Sequence, residues 1–306
     1  MKKRWKINIL KEQRGSALLI VSITIIVLLS IAALVIDLGS LFVSKTHLKK
    51  TANAAVLSAA QELVNSETAV QSILNSVLQA HNEVESLVNT TINQGYEVSV
   101  ALRKQVSLTF SKLLGFDSSP VEAVSTAQIL QMGRGTGAAP IGIDESFEPE
   151  FNKTYKLKVD QTEVDTGNFG VLALDGPGAQ TYEDNLRYGY SGEIKVGDII
   201  NTQTGNIAGK TRTVINEKIN ACPYPPGDLD HRDCPRILLV PVYRPNFYTN
   251  NQLKNVEIVG FAFFYILEPM SNTDTSITGM FIKRVDTGYT DSNAVNRGAF
   301  SIKLTE

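Results

Sequence analysis

The feature that most constrains this chain is an uninterrupted apolar run near its N-terminus. Residues 15–36, GSALLIVSITIIVLLSIAALVI, contain no ionisable side chain. As a helix rising about 1.5 Å per residue, these 22 residues extend about 33 Å, enough to cross a bilayer core of roughly 30 Å. Segment 2–14 carries six Lys and Arg and one Glu, and such a basic flank stays in the cytoplasm. We therefore predict a cytoplasmic leader at 1–14, a transmembrane helix at 15–36 and an extracytoplasmic remainder, as in a single-pass cell-surface protein.

Three kinds of N-terminal segment share this outline. A cleaved signal peptide has a shorter apolar region that ends at a small-residue site, whereas Asp37 follows this longer run directly. A type IV prepilin has a basic leader that ends in Gly before the apolar run, and Arg14-Gly15-Ser16 fits that outline. Prepilins usually place Glu at the fifth mature position, which is Ile20 here. An uncleaved anchor is therefore favoured, and cleavage after Gly15 stays an open alternative.

Beyond the membrane, helical periodicity continues. Apolar residues between Leu38 and Leu63 recur mostly at the i, i+3, i+4 and i+7 positions of one helix face. A second helical pattern covers 66–92, and the residues after it alternate as strands do, except for a helix-like segment at 105–115. Together these patterns predict a pilin-like subdomain of helices and strands at 37–131.

The C-terminal half is predicted to be rich in strands. A glycine-rich run at 132–142 predicts a linker. After it, apolar or alternating segments are separated by turn residues such as DGPG at 175–178. The nearly continuous apolar run 259–267 predicts a central strand that is covered on both faces. Residues 143–306 are therefore predicted to form an all-β module, a sandwich or barrel-like fold, and the whole chain to be α+β.

The N-terminal segment resembles the signature of the TadE/TadG-like proteins of the tight-adherence (Flp) pilus apparatus. In that family Arg-Gly precedes the apolar run, Val-Asp-x-Gly ends it, and an alanine-rich segment follows. The matching positions here are Arg14, Gly15, Ile36, Asp37, Gly39, Leu48, Ala52, Asn53, Ala54, Ala55 and Ala59. Asn53 and Lys49 stand where the family usually has Asp and Gln. A Phe and a Leu-Gly also recur in the family, here Phe110 and Leu114-Gly115.

This resemblance implies a pilin-like subunit that assembles at the membrane with other pilus or secretion-platform components. The C-terminal half is similar to the longer TadG-like proteins of Gram-positive bacteria. Asp37 and Gly39 also have physical reasons to lie at the end of an anchor. A carboxylate there is still solvated and marks the membrane boundary, and Gly39 beside Ser40 lets another helix approach closely. The alternative, a boundary charge and a small residue with no partner, is equally favoured.

No motif in the chain predicts catalysis, a cofactor or a metal site. The three histidines are far apart in the sequence. Asp228, Asp230 and Asp233 cluster in one loop but lack the spacing and the closing Glu of an EF-hand. The leader has a net charge of +5 and the chain −2, so the remaining residues carry −7. This acidic balance offers no basic surface for nucleic acid.

Cys222 and Cys234 are the only cysteines. In an exported domain, two cysteines that close a proline-rich loop favour a structural disulfide over two free thiols.

Taken together, these features predict a non-catalytic, membrane-anchored component of a Tad/Flp-type pilus assembly or surface-adhesion system. The alternative is an anchored binding or sensor module that recognises a cell-wall polymer, a peptide or a host-surface ligand through its β domain.

Overall fold

A computed structural model describes residues 13–158, 169–203, 207–229, 231–249 and 252–305. Nearly all of the predicted leader lies outside them. Within these residues the helices are α1 (Gln13–Ala60), α2 (Glu67–Ala80), α3 (Ala179–Tyr188) and α4 (Ala208–Ala221). The strands are β1 (Leu87–Asn93), β2 (Glu97–Ser107), β3 (Ser118–Thr136), β4 (Ile141–Asp144), β5 (Thr154–Lys158), β6 (Phe169–Val171), β7 (Glu193–Lys195), β8 (Ile199–Asn201), β9 (Ile237–Thr249), β10 (Gln252–Ile266), β11 (Ser276–Ile282), β12 (Arg284–Asp286), β13 (Tyr289–Thr290), β14 (Val295–Arg297) and β15 (Ala299–Leu304).

The two halves of α1 have different surroundings. With 48 residues at about 1.5 Å each, the helix is about 72 Å long. From Leu18 to Ile36 its large apolar side chains are at least half exposed, whereas from Leu48 to Ala60 one face is completely buried within the chain. A helix that is apolar all round needs an apolar environment around it. Among the described residues, α1 is the one helix that is long and apolar enough to cross a membrane.

Helix α2 begins at a capped turn and ends earlier than the periodicity predicts. The Ser66 hydroxyl accepts a hydrogen bond from the Ala69 N–H at 3.2 Å, which satisfies one of the free N–H groups of the first turn. The helix ends at Ala80. The predicted helix over 66–92 is therefore wrong beyond Ala80, because the Val- and Thr-containing run from Leu87 onward forms β1.

The N-terminal sheet covers the second half of α1. Its strand order is β1-β2-β3-β15-β12, with β7 and β13 also paired to β3. Apolar side chains of β2 and β3 pack on α1, and α2 packs on α1 in the same core. β2 and β3 pair antiparallel as far as Ser107↔Ser118, so they form a hairpin whose tip is residues 108–117. The segment predicted to be helix-like at 105–115 is the end of β2 and this tip, with one 3₁₀ turn at Ser111–Leu114.

The hairpin lies lengthwise along α1, with its tip toward the apolar half. At the tip end, the Ser111 N–H donates to the carboxylate of Asp37 at 2.7 Å. At the opposite end of β2, the Gly95 N–H donates to the Leu63 carbonyl at 3.0 Å. The sheet therefore runs from the end of the apolar half of α1 to just beyond the end of the helix.

The C-terminal sheet has the strand order β5-β11-β10-β9-β4-β6, with β8 and β14 paired to β10. The predicted central strand is confirmed as part of β10, which is buried on both faces. Phe264 and Ile266 face a core that includes α3 and α4, while Phe263 and Tyr265 face a second core. The C-terminal region is β-rich and the chain is α+β, as predicted. Helices α3 and α4 pack on this sheet and were not predicted.

The two sheets are joined more closely than the predicted linker implies. Residues 132–136 of that run are the end of β3, and β4 begins at Ile141. A Cβ at Gly133 would lie 2.1 Å from the Cβ of Asp291, so close packing rather than flexibility explains this glycine. β7, β12, β13 and β15 all come from the predicted 143–306 module, yet they pair within the N-terminal sheet. The run 132–142 therefore does not divide the chain into two self-contained domains.

Candidate functional site at the end of the apolar half of the first helix

Asp37 links the C-terminal end of the apolar half of α1 to the hairpin tip. The residue is 3% exposed. Its carboxylate accepts hydrogen bonds from the backbone N–H groups of Thr109 at 2.8 Å, Phe110 at 3.1 Å and Ser111 at 2.7 Å. The Ser111 hydroxyl donates a further bond at 2.7 Å. The geometry is that of an N-cap, supplied to the 3₁₀ turn by a residue far away in the sequence.

These bonds favour the ionised form of Asp37. The Ser111 hydroxyl lowers the pKa of Asp37 below its ordinary value, and the backbone N–H groups of Thr109, Ser111 and Phe110 act in the same direction. Burial of the carboxylate raises the pKa but does not outweigh them. The sequence indicated a carboxylate at the end of the apolar run but did not predict its hydrogen-bond donors. Most of the donors are backbone groups, which leave no residue-type signal.

The alanine-rich part of the family motif packs on the sheet. Leu48, Ala52 and Ala55 are completely buried, and they contact a core formed with β2 and β3. Ala54 is half-buried. Alanine combines a small side chain with the highest helix propensity, so this face allows close approach to the sheet without weakening the helix.

Two positions that depart from the family pattern bond to β3. The Lys49 Nζ donates to the Val124 carbonyl at 2.5 Å, and the Asn53 Oδ1 accepts from the Ser125 hydroxyl. Lys49 and Asn53 are four residues apart and therefore share one face of α1, and their partners are adjacent on β3. Asn53 thus bonds to the sheet without the charge of the usual Asp.

Three further motif positions are Arg14, Gly15 and Gly39. Arg14 and Gly15 are in the first turn of α1. Gly39 and Ser40 are exposed, and a Cβ at Gly39 would meet nothing within 4 Å. The close approach of another helix at Gly39 stays a prediction.

Glu83 is a buried carboxylate that the sequence patterns did not single out. It is 2% exposed. Its Oε1 lies 2.5 Å from the Lys104 Nζ of β2 and 3.4 Å from the His47 Nε2 of α1, and the Ser86 hydroxyl donates to Oε2. Burial raises the pKa of Glu83, but the bonds from Lys104 and Ser86 outweigh it and hold the pKa below its ordinary value. The group joins three separate elements, so no local pattern marks it.

The predicted disulfide is present: Cys222 and Cys234 are bonded, with their Cα atoms 5.3 Å apart. Cys234 is buried in the core that lies between the two sheets. The enclosed loop is held by its own contacts, since the Tyr224 hydroxyl bonds to Asp233 at 2.9 Å and its ring stacks on His231 at 3.5 Å between centroids. The bridge therefore closes a loop with internal side-chain contacts just before β9.

Arg232 extends this loop to the N-terminal part of the chain. Its Nη1 donates to the Val285 carbonyl at 2.7 Å, and its Nη2 donates to the Gln61 carbonyl at 3.3 Å. The Nη2 also lies 3.6 Å from a Glu62 carboxylate oxygen. The cystine loop thus contacts both β12 and the residues that follow α1.

Within the described ranges, no three His, Cys, Asp or Glu side chains lie close enough together to hold a metal ion. Asp233 bonds to Tyr224, and Asp228 lies 3.4 Å from His231. Asp230, the third acidic residue of that loop, falls outside the described residues.

The described geometry is that of a long helix whose first half is apolar and exposed and whose second half packs on a sheet. Residues 15–62 match a family model described as Tad, putative Flp pilus-assembly TadE/G-like. This match confirms the resemblance to the TadE/TadG-like family, and it covers nearly all of α1. No curated protein and no solved structure matches the chain.

Proposed function

We propose that this protein is a non-catalytic, membrane-anchored, pilin-like component of a Tad/Flp-type pilus assembly or surface-adhesion system. Residues 15–36 cross the membrane, the basic leader stays in the cytoplasm, and the chain beyond Asp37 is extracytoplasmic. The observation that carries this proposal is the division of the family-matching helix. Its first half is exposed and apolar, and its second half is buried under the sheet.

Assembly partners would contact the part of α1 that the sheet leaves open. Gly39 and Ser40 are exposed just beyond the span, and small residues at such positions allow helices to pack closely in membranes. Helices of other Tad components are the partners of this surface. The two sheets then stand outside the membrane as the displayed part of the subunit.

Crosslinking and purification from the native bacterium test this proposal. The tagged full chain, crosslinked in its own membranes, should recover proteins of a Tad/Flp secretion platform. The matched control replaces 15–36 with an unrelated single-pass helix and keeps 37–306, and it should recover fewer of them. Absence of pilus components from both purifications would contradict the proposal and favour an anchored binding module.

A further inference from the structure

The hairpin tip, residues 108–117, exposes more apolar surface than a turn in water requires. Leu113 is 86% exposed, Phe116 64% and Phe110 37%. The tip is nevertheless a closed turn, because the Leu108 N–H donates to the Asp117 carbonyl at 3.0 Å. Single exposed apolar residues are ordinary, but three in one tight turn indicate a contact surface.

Asp37 sets the position of this tip along α1. It follows Ile36 directly, the last residue of the uncharged run. Its carboxylate lies 2.8 Å from the Thr109 nitrogen and 2.7 Å from the Ser111 nitrogen. The tip is therefore level with the outer end of the span. The interfacial region of a bilayer begins there and adds roughly 5–7 Å on each side of the hydrocarbon core.

The helix is also apolar at this level. Leu38 is 56% exposed and Phe42 is 71% exposed. Phe42 lies five residues beyond Asp37, or about 7.5 Å along the helix axis. This exposed apolar stretch of α1 matches the depth of the interfacial region.

The charges near the tip suit a lipid surface. Lys112 is exposed within the tip, and Lys45 is exposed on the next part of α1. At the depth of the tip, the stem of Lys112 stays in the apolar region while its ammonium group lies among lipid phosphates. Lys45 lies eight residues, or about 12 Å, beyond Asp37, on the water side of the interfacial region. The charge of Asp37 is already bonded within the chain, and Asp117 lies at the base of the tip.

We propose that the hairpin tip is a second membrane contact, with Phe110, Leu113 and Phe116 in the outer interfacial region of the bilayer. The inference rests on the proposed anchoring by residues 15–36. Lipid is the occupant because the tip adjoins a helix segment that lipid surrounds. Asp37 acts as a positioning residue that holds the tip at this depth. A helix and a tip together fix the tilt of the sheets above the membrane, which one helix cannot do.

Quenching of tryptophan fluorescence by brominated lipids tests the proposal on the full chain in vesicles of zwitterionic and anionic phospholipids. In a Trp5→Phe background, single tryptophans are introduced at exposed sites as Leu113→Trp, Leu29→Trp and Tyr96→Trp. Tyr96 lies beyond the opposite end of β2, whose 11 residues span about 36 Å at about 3.3 Å each. We expect strong quenching of Leu113→Trp by bromine near the headgroups, of Leu29→Trp by bromine near the bilayer centre, and of Tyr96→Trp by neither.

The outcomes separate this inference from the proposed anchoring. No quenching of Leu29→Trp would overturn the anchoring itself. Quenching of Leu29→Trp without that of Leu113→Trp would overturn only the tip contact. The tip contact would also be overturned if the fluorescence of Leu113→Trp were not quenched by brominated lipids but changed with the protein-to-lipid ratio. That result would show that the tip contacts a second copy of the chain.

The role of Asp37 is tested by the same signal. Adding Asp37→Ala to Leu113→Trp should reduce quenching by headgroup-region bromine, whereas adding Ser40→Ala should not. Circular dichroism of each variant checks that the sheets remain folded. Unchanged quenching in a folded Asp37→Ala variant would show that Asp37 does not position the tip.

Discussion

Removal of the disulfide gives the most quantitative test of the C-terminal packing. Cys222 and Cys234 are 12 residues apart, and closing a loop of that size in the unfolded chain corresponds to about 3 kcal/mol of stability. For a cooperative unit of 150–250 residues, 1 kcal/mol shifts the melting temperature by about 2–4 °C, so the expected loss is about 6–12 °C. The loss should appear in the unfolding of both sheets, because Cys234 is buried in the core between them.

The assay compares three samples of the full chain in detergent micelles by circular dichroism at the β-sheet minimum. They are the oxidised protein, the reduced protein, and the double variant Cys222→Ala with Cys234→Ala. The reduced protein isolates the bridge from the change of side chain, and Ala avoids burying a Ser hydroxyl at Cys234. Equal melting temperatures for oxidised and reduced protein would refute the reasoning. Alkylation of both thiols in the native, unreduced protein would refute it as well.

Two further predictions concern the buried carboxylate and the orientation. Glu83→Gln should cost about 1.5–3 kcal/mol at neutral pH, while Glu85→Gln, at an exposed position in the same turn, should have little effect. Because the folded-state pKa of Glu83 is lowered, the stability difference from wild type should be full above the unfolded pKa of about 4.3 and shrink as the pH falls through the folded value. A difference in melting temperature that does not change between pH 7 and pH 3 would contradict this. Protease added to wall-free cells should remove a C-terminal tag and leave an N-terminal tag, and protection of the C-terminal tag would reverse the proposed orientation.

Much of the fold follows from local patterns, and the exceptions have physical causes. The apolar run, the continuation of α1 and the central strand β10 were predictable because each is a long, regular pattern within a single helix or strand. The end of α2 was missed because apolar spacing continues past Ala80 into residues that β1 uses. The run 132–142 was predicted to be a linker because its glycines can indicate flexibility, but glycine also occurs where another part of the chain packs closely. At Gly133 the reason is close packing, and this depends on the position of Asp291 in the fold.

The candidate site was predictable in its residues but not in its contacts. Asp37 stood out because a carboxylate at the end of an apolar run is unusual. Its donors are more than 70 residues away in sequence and are mostly backbone N–H groups, so residue types alone do not identify them. The Glu83 group combines side chains from α1, β2 and the turn after α2. Because these elements are far apart in the sequence, no local pattern predicts that the side chains meet.

The place of β15 has a consequence for biosynthesis. This last strand lies between β3 and β12, and Thr305 bonds to Thr126, 179 residues earlier. In the proposed topology, one edge of β3 therefore stays unpaired during export until β15 has also crossed the membrane. A chain that is truncated in synthesis presents that edge permanently, and unpaired strand edges recruit other chains. The first sheet is thus completed only after the second sheet has been synthesised, because β15 follows the second sheet's strands in the sequence.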